Sequence, residues 1–426
     1  MYNQVKASGK HYGGARKLNT RNLGHWAVLL AVILGIGGVV YGMHSIDAKD
    51  EQEVTKANKA NAKQTKQEIA YDALKSRQQR THRKTSFDKK QVMVAPQFTK
   101  KLTRELKAKK FSGSALVVKN NHVVYQRSFG KANAKKKRAN KVTSQFLINS
   151  LQKSLTGMLV MQAVQEGKLQ LTDRLSQYYP SIQHSGRVTL RQMLNMEAGL
   201  TGEMAPTTTL NEAGVYKYAE QTAKINPKRI NTFDYQPISY VLLAGILHQV
   251  THESYYKLFY QRLVTPLNLN HTSFAQLRSK TKGMTVGYSG TTPGDFSTPK
   301  LPSMRDMEAQ IATGNVTMST GDMFRAERAI IQGKLLTSKA GANVLHEAAN
   351  KNAYYAGGMY HLDRIGYYGH GVGDFYEGTF VMSRDGKTGV IFLSNNFYKK
   401  SMWPDWSTED LAISTFRHVL VAPQLK

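Results

Sequence analysis

Hydrophobic positions along the chain fall into three regimes. From His25 to Met43 the run HWAVLLAVILGIGGVVYGM holds 19 residues with no formal charge apart from the histidine. At about 1.5 Å per residue, a helix of that length matches the hydrocarbon thickness of a bilayer. Residues 44 to about 95 are rich in Lys, Gln, Ala, Glu and Asn, without apolar periodicity, and predict a solvated stalk, partly helical or disordered. Near Phe111 a third regime begins. SALVVK and HVVYQRSF flank Asn120-Asn121 and predict a hairpin. Apolar runs predict helices from about Ser150 to Gln165, ended by Gly167, and from about Ser239 to Thr251. TFVMS and GVIFLSN flank Arg384-Asp385-Gly386 as a second hairpin, and TEDLAISTFRHVL closes the chain as an amphipathic stretch. Strands at both ends with helices between them predict an α/β (α+β) fold, in which one antiparallel sheet is flanked by helices and an all-helical region is inserted.

Charge gives these regimes a direction. Lys6, Lys10, Arg16, Lys17 and Arg21 precede the apolar run with no acidic residue among them, while Asp47, Asp50, Glu51 and Glu53 follow it. The positive side stays in the cytoplasm. This predicts a basic cytoplasmic tail over residues 1–24, an uncleaved single-pass anchor over 25–43, a stalk over 44–95, and a folded domain over 96–426 on the outer face of the cell membrane. Over the whole chain 59 Lys plus Arg stand against 29 Asp plus Glu, a net charge of +30. Such an excess points to a polyanionic neighbour. An outward-facing domain turns that expectation from nucleic acid to anionic lipid or an acidic wall polymer. There is no cysteine, which excludes disulfides, Cys-ligated metals and a thiol nucleophile.

Candidate chemistry starts at Ser150-Leu-Gln-Lys153, an S-x-x-K tetrad. Ser86-Phe-Asp-Lys89 and Ser279-Lys-Thr-Lys282 match the same pattern, but the first lies in the stalk and the second in a polar, lysine-rich loop. Ser150 instead opens the apolar stretch LTGMLVMQAV. That places its hydroxyl at a helix N-terminus, where free N–H groups favour developing negative charge. Lys153 lies one turn on, on the same face, where an unprotonated amine can take the serine's proton.

Phe233-Asp-Tyr235-Gln-Pro-Ile-Ser-Tyr240, leading into VLLAGILHQVT, and Tyr368-Gly-His370-Gly-Val-Gly373 add to the tetrad. With these three segments the chain resembles the serine β-lactamase-related family, which includes class C β-lactamases, penicillin-binding carboxypeptidases and esterases. EGKLQLTDRLSQYYPSI, VTLRQMLNMEAGL and GNVTMSTGDMFRAERAI fall in the family's order between them, and the likeness runs from roughly Phe111 to Leu420. The resemblance implies that Tyr235 shares proton transfer with Lys153. It implies that His370 occupies the first place of a Lys-Thr-Gly or His-x-Gly element, with Gly371 and Gly373 letting the backbone approach an oxyanion. Pro237 stands where the family's Tyr-x-Asn element has its Asn, and Val372 where the third element has its Gly. Lys387-Thr388-Gly389 matches Lys-Thr-Gly literally but follows Asp385-Gly386, and reads as the exit of a hairpin turn.

The resemblance implies a serine acyl-hydrolase working through an acyl-enzyme, without metal or cofactor. Combined with the anchor and the charge, it leads us to expect D-alanyl groups of the cell envelope as substrate. The sharper expectation is an esterase acting on D-alanyl esters of teichoic acid; the alternatives are the peptide bond of D-alanyl-D-alanine in peptidoglycan stem peptides and, after it, a β-lactam. A catalytically degenerate binder of anionic wall polymer is the reading from a different class. No G-x-S-x-G elbow, zinc helix or P-loop is present: GYSGT around Ser289 lacks the final glycine, and His346-Glu-Ala-Ala-Asn350 lacks a second histidine.

Overall fold

Asn120 and Asn121 both take positive φ (51° and 68°), the backbone that a two-residue hairpin turn requires and that asparagine tolerates. They join strands β2 (Gly113–Lys119) and β3 (His122–Phe129). At the other end of the chain, Gly386 at φ +68° turns the chain between Tyr376–Ser383 and Gly389–Ser394. The computed structural model in which these elements lie describes residues 48–81, 87, 91–349, 353–396 and 407–422. The expected anchor over 25–43 and the basic tail before it lie outside the described residues. Among the described residues no helix is long and apolar enough to cross a membrane.

Strands from both chain ends form one eight-stranded sheet. With β1 at Val92–Met93, β4 at Tyr355–Ala356, β5 at Met359–Leu362, β6 at Gly366–Gly373, β7 at Tyr376–Ser383 and β8 at Gly389–Ser394, the order is β1-β3-β2-β8-β7-β6-β5-β4. Every pairing is antiparallel. β2 is buried along its whole length because its side chains alternate between two cores. Leu116 and Val118 join Phe380, Met382, Ile391 and Leu393 against the helical region. Ala115 and Val117 join Val381, Val390 and Phe392 against the helices Pro96–Ala108 and Thr408–Val421. The sheet is therefore the middle of three layers. The helical region centres on Gln152–Gln165 and Ile238–Thr251, which carry hardly any polar face and are buried nearly all round. The mixed fold of antiparallel sheet and helices accords with the expectation from the chain's patterning, but the inserted region is not all-helical: it holds a three-stranded sheet and two-stranded sheets such as Ala198–Thr201 with Lys224–Ile230.

The expected stalk differs. Residues Ala48–Gln79 form one helix of 32 residues, and a compact unit begins at Ala57. Within that unit Thr65, Ile69 and Ser76 are buried at spacings of four and seven, which is one helical face. Thr265 Oγ1 donates to Ser76 Oγ at 2.8 Å, and Asn61 Nδ2 donates to Thr209 O at 3.2 Å. A single isoleucine flanked by small hydroxylic residues leaves no apolar stripe to read in the sequence, yet it is enough to seat the helix. Ile69→Ala should cost about 2–5 kcal/mol of stability, read as a shift in urea midpoint; an unchanged midpoint would show that the helix is not seated.

Candidate active site

The nucleophile helix is held from behind by its own polar residues. Gln152, wholly buried, donates to Asn315 Oδ1 at 3.0 Å and Tyr255 Oη at 3.2 Å, and accepts from Val316 N at 3.0 Å. Thr156 Oγ1 donates to Ala312 O at 2.7 Å. Ser154 Oγ donates to Leu151 O at 2.8 Å and lies 2.7 Å from Glu327 Oε1. A hydroxyl has one proton, so the second contact closes when Glu327 carries its own. Burial does push the Glu327 carboxyl up to about 8, against the Ser154 hydrogen bond. Glu327, on Thr320–Ile331, is therefore a neutral acid beneath the helix at pH 7.

At the front, Ser150 occupies the 3₁₀ turn Asn149–Leu151 that leads into the helix. Asn149 sits at φ +48°, and its Nδ2 donates to Gly373 O at 3.2 Å. This throws Ser150 to the surface of the turn, half-buried, while its neighbours are buried. Lys153 is 1% exposed, and its Nζ meets Ser150 Oγ at 2.9 Å and Thr313 O at 3.5 Å. The same Nζ lies 5.1 Å from the centroid of the Tyr235 ring, in cation–π range. Tyr235 packs edge-on to Tyr355 at 6.0 Å. Pro237, the residue in the place of the family's Asn, caps Ile238–Thr251 at φ −55°, a backbone suited to starting a helix. The structure thus brings Ser150, Lys153 and Tyr235 together.

It divides the third element. In β6 alternate residues face opposite ways. A Cβ on Gly371 would lie 2.4 Å from Ile148 O and 3.0 Å from Ser150 N, and one on Gly373 would lie 2.7 Å from Asn149 Oδ1. Both glycines face the Ser150 turn. His370 faces the other way, which corrects its expected place beside the substrate. Its Nε2 lies 3.0 Å from Glu377 Oε1 and its Nδ1 3.4 Å from Glu409 Oε2; Glu377 Oε1 also accepts from Thr408 N at 3.0 Å. His370 ties the sheet to the N-terminus of the helix Thr408–Val421. Past Tyr368, β6 pairs only with β7 among the described strands, so its edge from Gly369 to Gly373 stays open beside Ser150.

Sequence reading missed three contributors. Gly358, at φ +93°, presses so close that a Cβ would lie 2.4 Å from Ser154 N, and the pair Gly357-Gly358 was the available signal. Glu327 and Thr313 carried none. Of the motif look-alikes, Lys387 and Thr388 fall in the turn before β8, where Lys387 N donates to Asp385 Oδ1, and Ser279 lies in the turn Ala275–Lys280. Ser86 and Lys89 lie outside the described residues. No cluster able to hold a metal occurs among the described residues.

A buried lysine on a serine at a helix start, with an aromatic hydroxyl residue beside it and a glycine strand closing the front, is the equipment of a serine acyl-hydrolase. Residues 98–413 match the beta-lactamase family, and the chain belongs to that family of serine hydrolases. It is 28% identical over 330 residues to a Bacillus subtilis (strain 168) protein named penicillin-binding protein PbpX, covering 77% of this chain and 82% of that one. It is also 28% identical over 328 residues to the teichoic acid D-alanine hydrolase of Staphylococcus aureus (strain MRSA252), covering 77% and 79%. The crystal structure of FmtA from Staphylococcus aureus shares the fold with a TM-score of 0.67 at 24% identity, over 79% of this chain and 93% of the other.

Two outcomes test this geometry. Gly371→Ala should lower stability and, in the folded fraction, slow acylation by about ten- to hundredfold, because the added methyl must displace the Ile148 and Ser150 backbone; an unchanged melting temperature and single-turnover rate would refute the close approach. His370 is also sensitive to pH. Desolvation pulls its pKa down, but the Glu377 hydrogen bond and the charges of Glu377, Glu409 and Asp410 outweigh that and hold it above the usual histidine value. The resulting stability is complete below the unfolded value of about 6.5 and fades as pH rises through the raised folded value. His370→Gln should therefore lower Tm most near pH 5–6 and progressively less toward pH 9; a pH-independent difference would remove the charge argument.

Proposed function

We propose that this chain is an envelope D-alanyl esterase that removes D-alanine from teichoic acid through an acyl-enzyme on Ser150, tethered to the outer face of the membrane by residues 25–43. The observation that carries the reading is the buried Lys153 amine 2.9 Å from Ser150 Oγ. With Lys153 unprotonated, Ser150 Oγ attacks the ester carbonyl as Nζ takes its proton. The tetrahedral oxyanion is held by the Ser150 backbone N–H and an N–H of the strand segment around Gly371 and Gly373. Collapse expels the polyol oxygen, which takes a proton relayed through Lys153 and Tyr235. Water then attacks the acyl-serine by the same relay and releases D-alanine.

Substrate choice rests on three supports. The Staphylococcus aureus relatives are named teichoic acid D-alanine hydrolases. A net charge of +30 suits a chain of phosphates. Pro237 removes the amide side chain with which the family holds peptide-like substrates, which favours an ester. The likeness to PbpX supports a second reading, D-alanyl-D-alanine carboxypeptidase activity on peptidoglycan stem peptides.

The deciding measurement is free D-alanine released by the ectodomain from D-alanylated teichoic acid and from stem peptide. Release from the teichoic acid is expected, with Ser150→Ala reducing it by about 10³-fold or more and Lys153→Ala by about 10²–10⁴-fold. Release from the peptide alone would sink the esterase, and Ser150-independent or absent release from both would leave a polymer binder.

A further inference from the structure

Within the compact unit that begins at Ala57, the helix ending at Gln79 does not lie flush on its neighbours. Toward its C-terminal end a recess of about 850 Å³ opens between it and the domain. Arg77 and Arg80 border the recess from the helix side. Arg138 and Lys141 border it from the segment that runs into Gln145, and Lys282 from a neighbouring loop. Five cationic side chains thus converge on one recess, and no acidic residue lines it among the described residues. Like charges gathered this way repel one another at a cost to the folded state, a cost that a bound anion relieves. Arg80 Nε is shielded from solvent and has no hydrogen-bond partner among the described residues, a donor lacking an acceptor. Both arginines are also aimed by the protein: Arg80 Nη1 donates to Leu269 O, and the Arg138 guanidinium donates to Lys282 O at 3.0 Å and to Met284 O.

We infer that this recess is a binding site for successive phosphodiester groups of a polyanionic chain, separate from the acyl-transfer site. Five cations around one recess of about 850 Å³ suit a repeating anion better than a single phosphate. A recess walled by a helix on one side and the domain on the other admits a threaded chain, whereas the plane of a bilayer meets only its rim. Gln145 lines the recess, and Ser150 is five residues further on, at most about 18 Å away even for extended backbone. The choice of polymer rests on the esterase reading; the presence of an anion site does not.

The test titrates the full chain with unesterified poly(glycerol phosphate) at several salt concentrations, and in parallel with phosphatidylglycerol vesicles. The unaltered chain should bind the polymer with an affinity that falls with salt. The triple variant R77E/K141E/K282E, altered at exposed positions, should bind about tenfold or more weakly and lower the slope of log affinity against log salt by about two. Its hydrolysis of a small soluble D-alanyl ester should stay within about twofold of the unaltered rate, since none of the three touches Ser150, Lys153 or Tyr235. Unchanged polymer affinity and slope in the variant would overturn the site, and so would binding confined to vesicles. Retained, charge-dependent polymer binding by a chain that releases D-alanine from no ester would uphold the recess while removing the esterase.

Discussion

No side chain fits between β6 and the turn that carries Ser150, and the rest of the site is arranged around that constraint. Gly371 and Gly373 are glycine because any Cβ there would enter the backbone of Ile148 and Ser150 or the side chain of Asn149. The closeness has a chemical use. It sets a strand edge beside a helix start, so that two backbone segments from opposite ends of the fold flank one reacting carbon. Backbone N–H groups held this rigidly need little reorganisation when charge develops, which is where most of the advantage of an oxyanion site arises.

Rigidity of that kind has to come from behind. Gln152, Ser154 and Thr156 are buried polar residues of this helix, and each finds partners outside it: Asn315 and Tyr255 for Gln152, Glu327 for Ser154, and Ala312 and the same Tyr255 for Thr156. Removing one such partner would leave a buried polar atom unsatisfied, so the network resists rotation or sliding of the helix. Lys153 shares this fixity. Its stem is enclosed, its amine is met by Ser150 and Thr313, and the face of Tyr235 covers it.

Much of this was legible in the chain. The Asn120-Asn121 and Asp385-Gly386 turns, the helix opening at Ser150 and the apolar run after Pro237 are local signals, and each marks an element of the fold. What depends on the far side of a strand was not. His370 sits between glycines, and whether it or Gly371 faces Ser150 is a question of register by one residue, which reverses every side chain. The packing of residues 57–79 escaped because their buried face is threonine, isoleucine and serine rather than a leucine stripe. Glu327 escaped because an acid in a stretch such as GDMFRAERAI looks like a solvated helix face; only the depth of its surroundings makes it a neutral acid.

The sheet joins residues separated by most of the chain: Ser112 Oγ donates to Asn395 Oδ1 across 283 positions, and β2 pairs along its length with β8. β2 therefore has no neighbour on one side until β8, near the far end of the sequence, has been made. Contacts of such long sequence separation form slowly, and until then β2 exposes a strand edge and two apolar faces. A growing chain would hold Ser150 on a helix with no glycine strand against it. The catalytic front is thus among the last parts to assemble, and a chain released before β8 is synthesised would carry the tetrad without the means to use it.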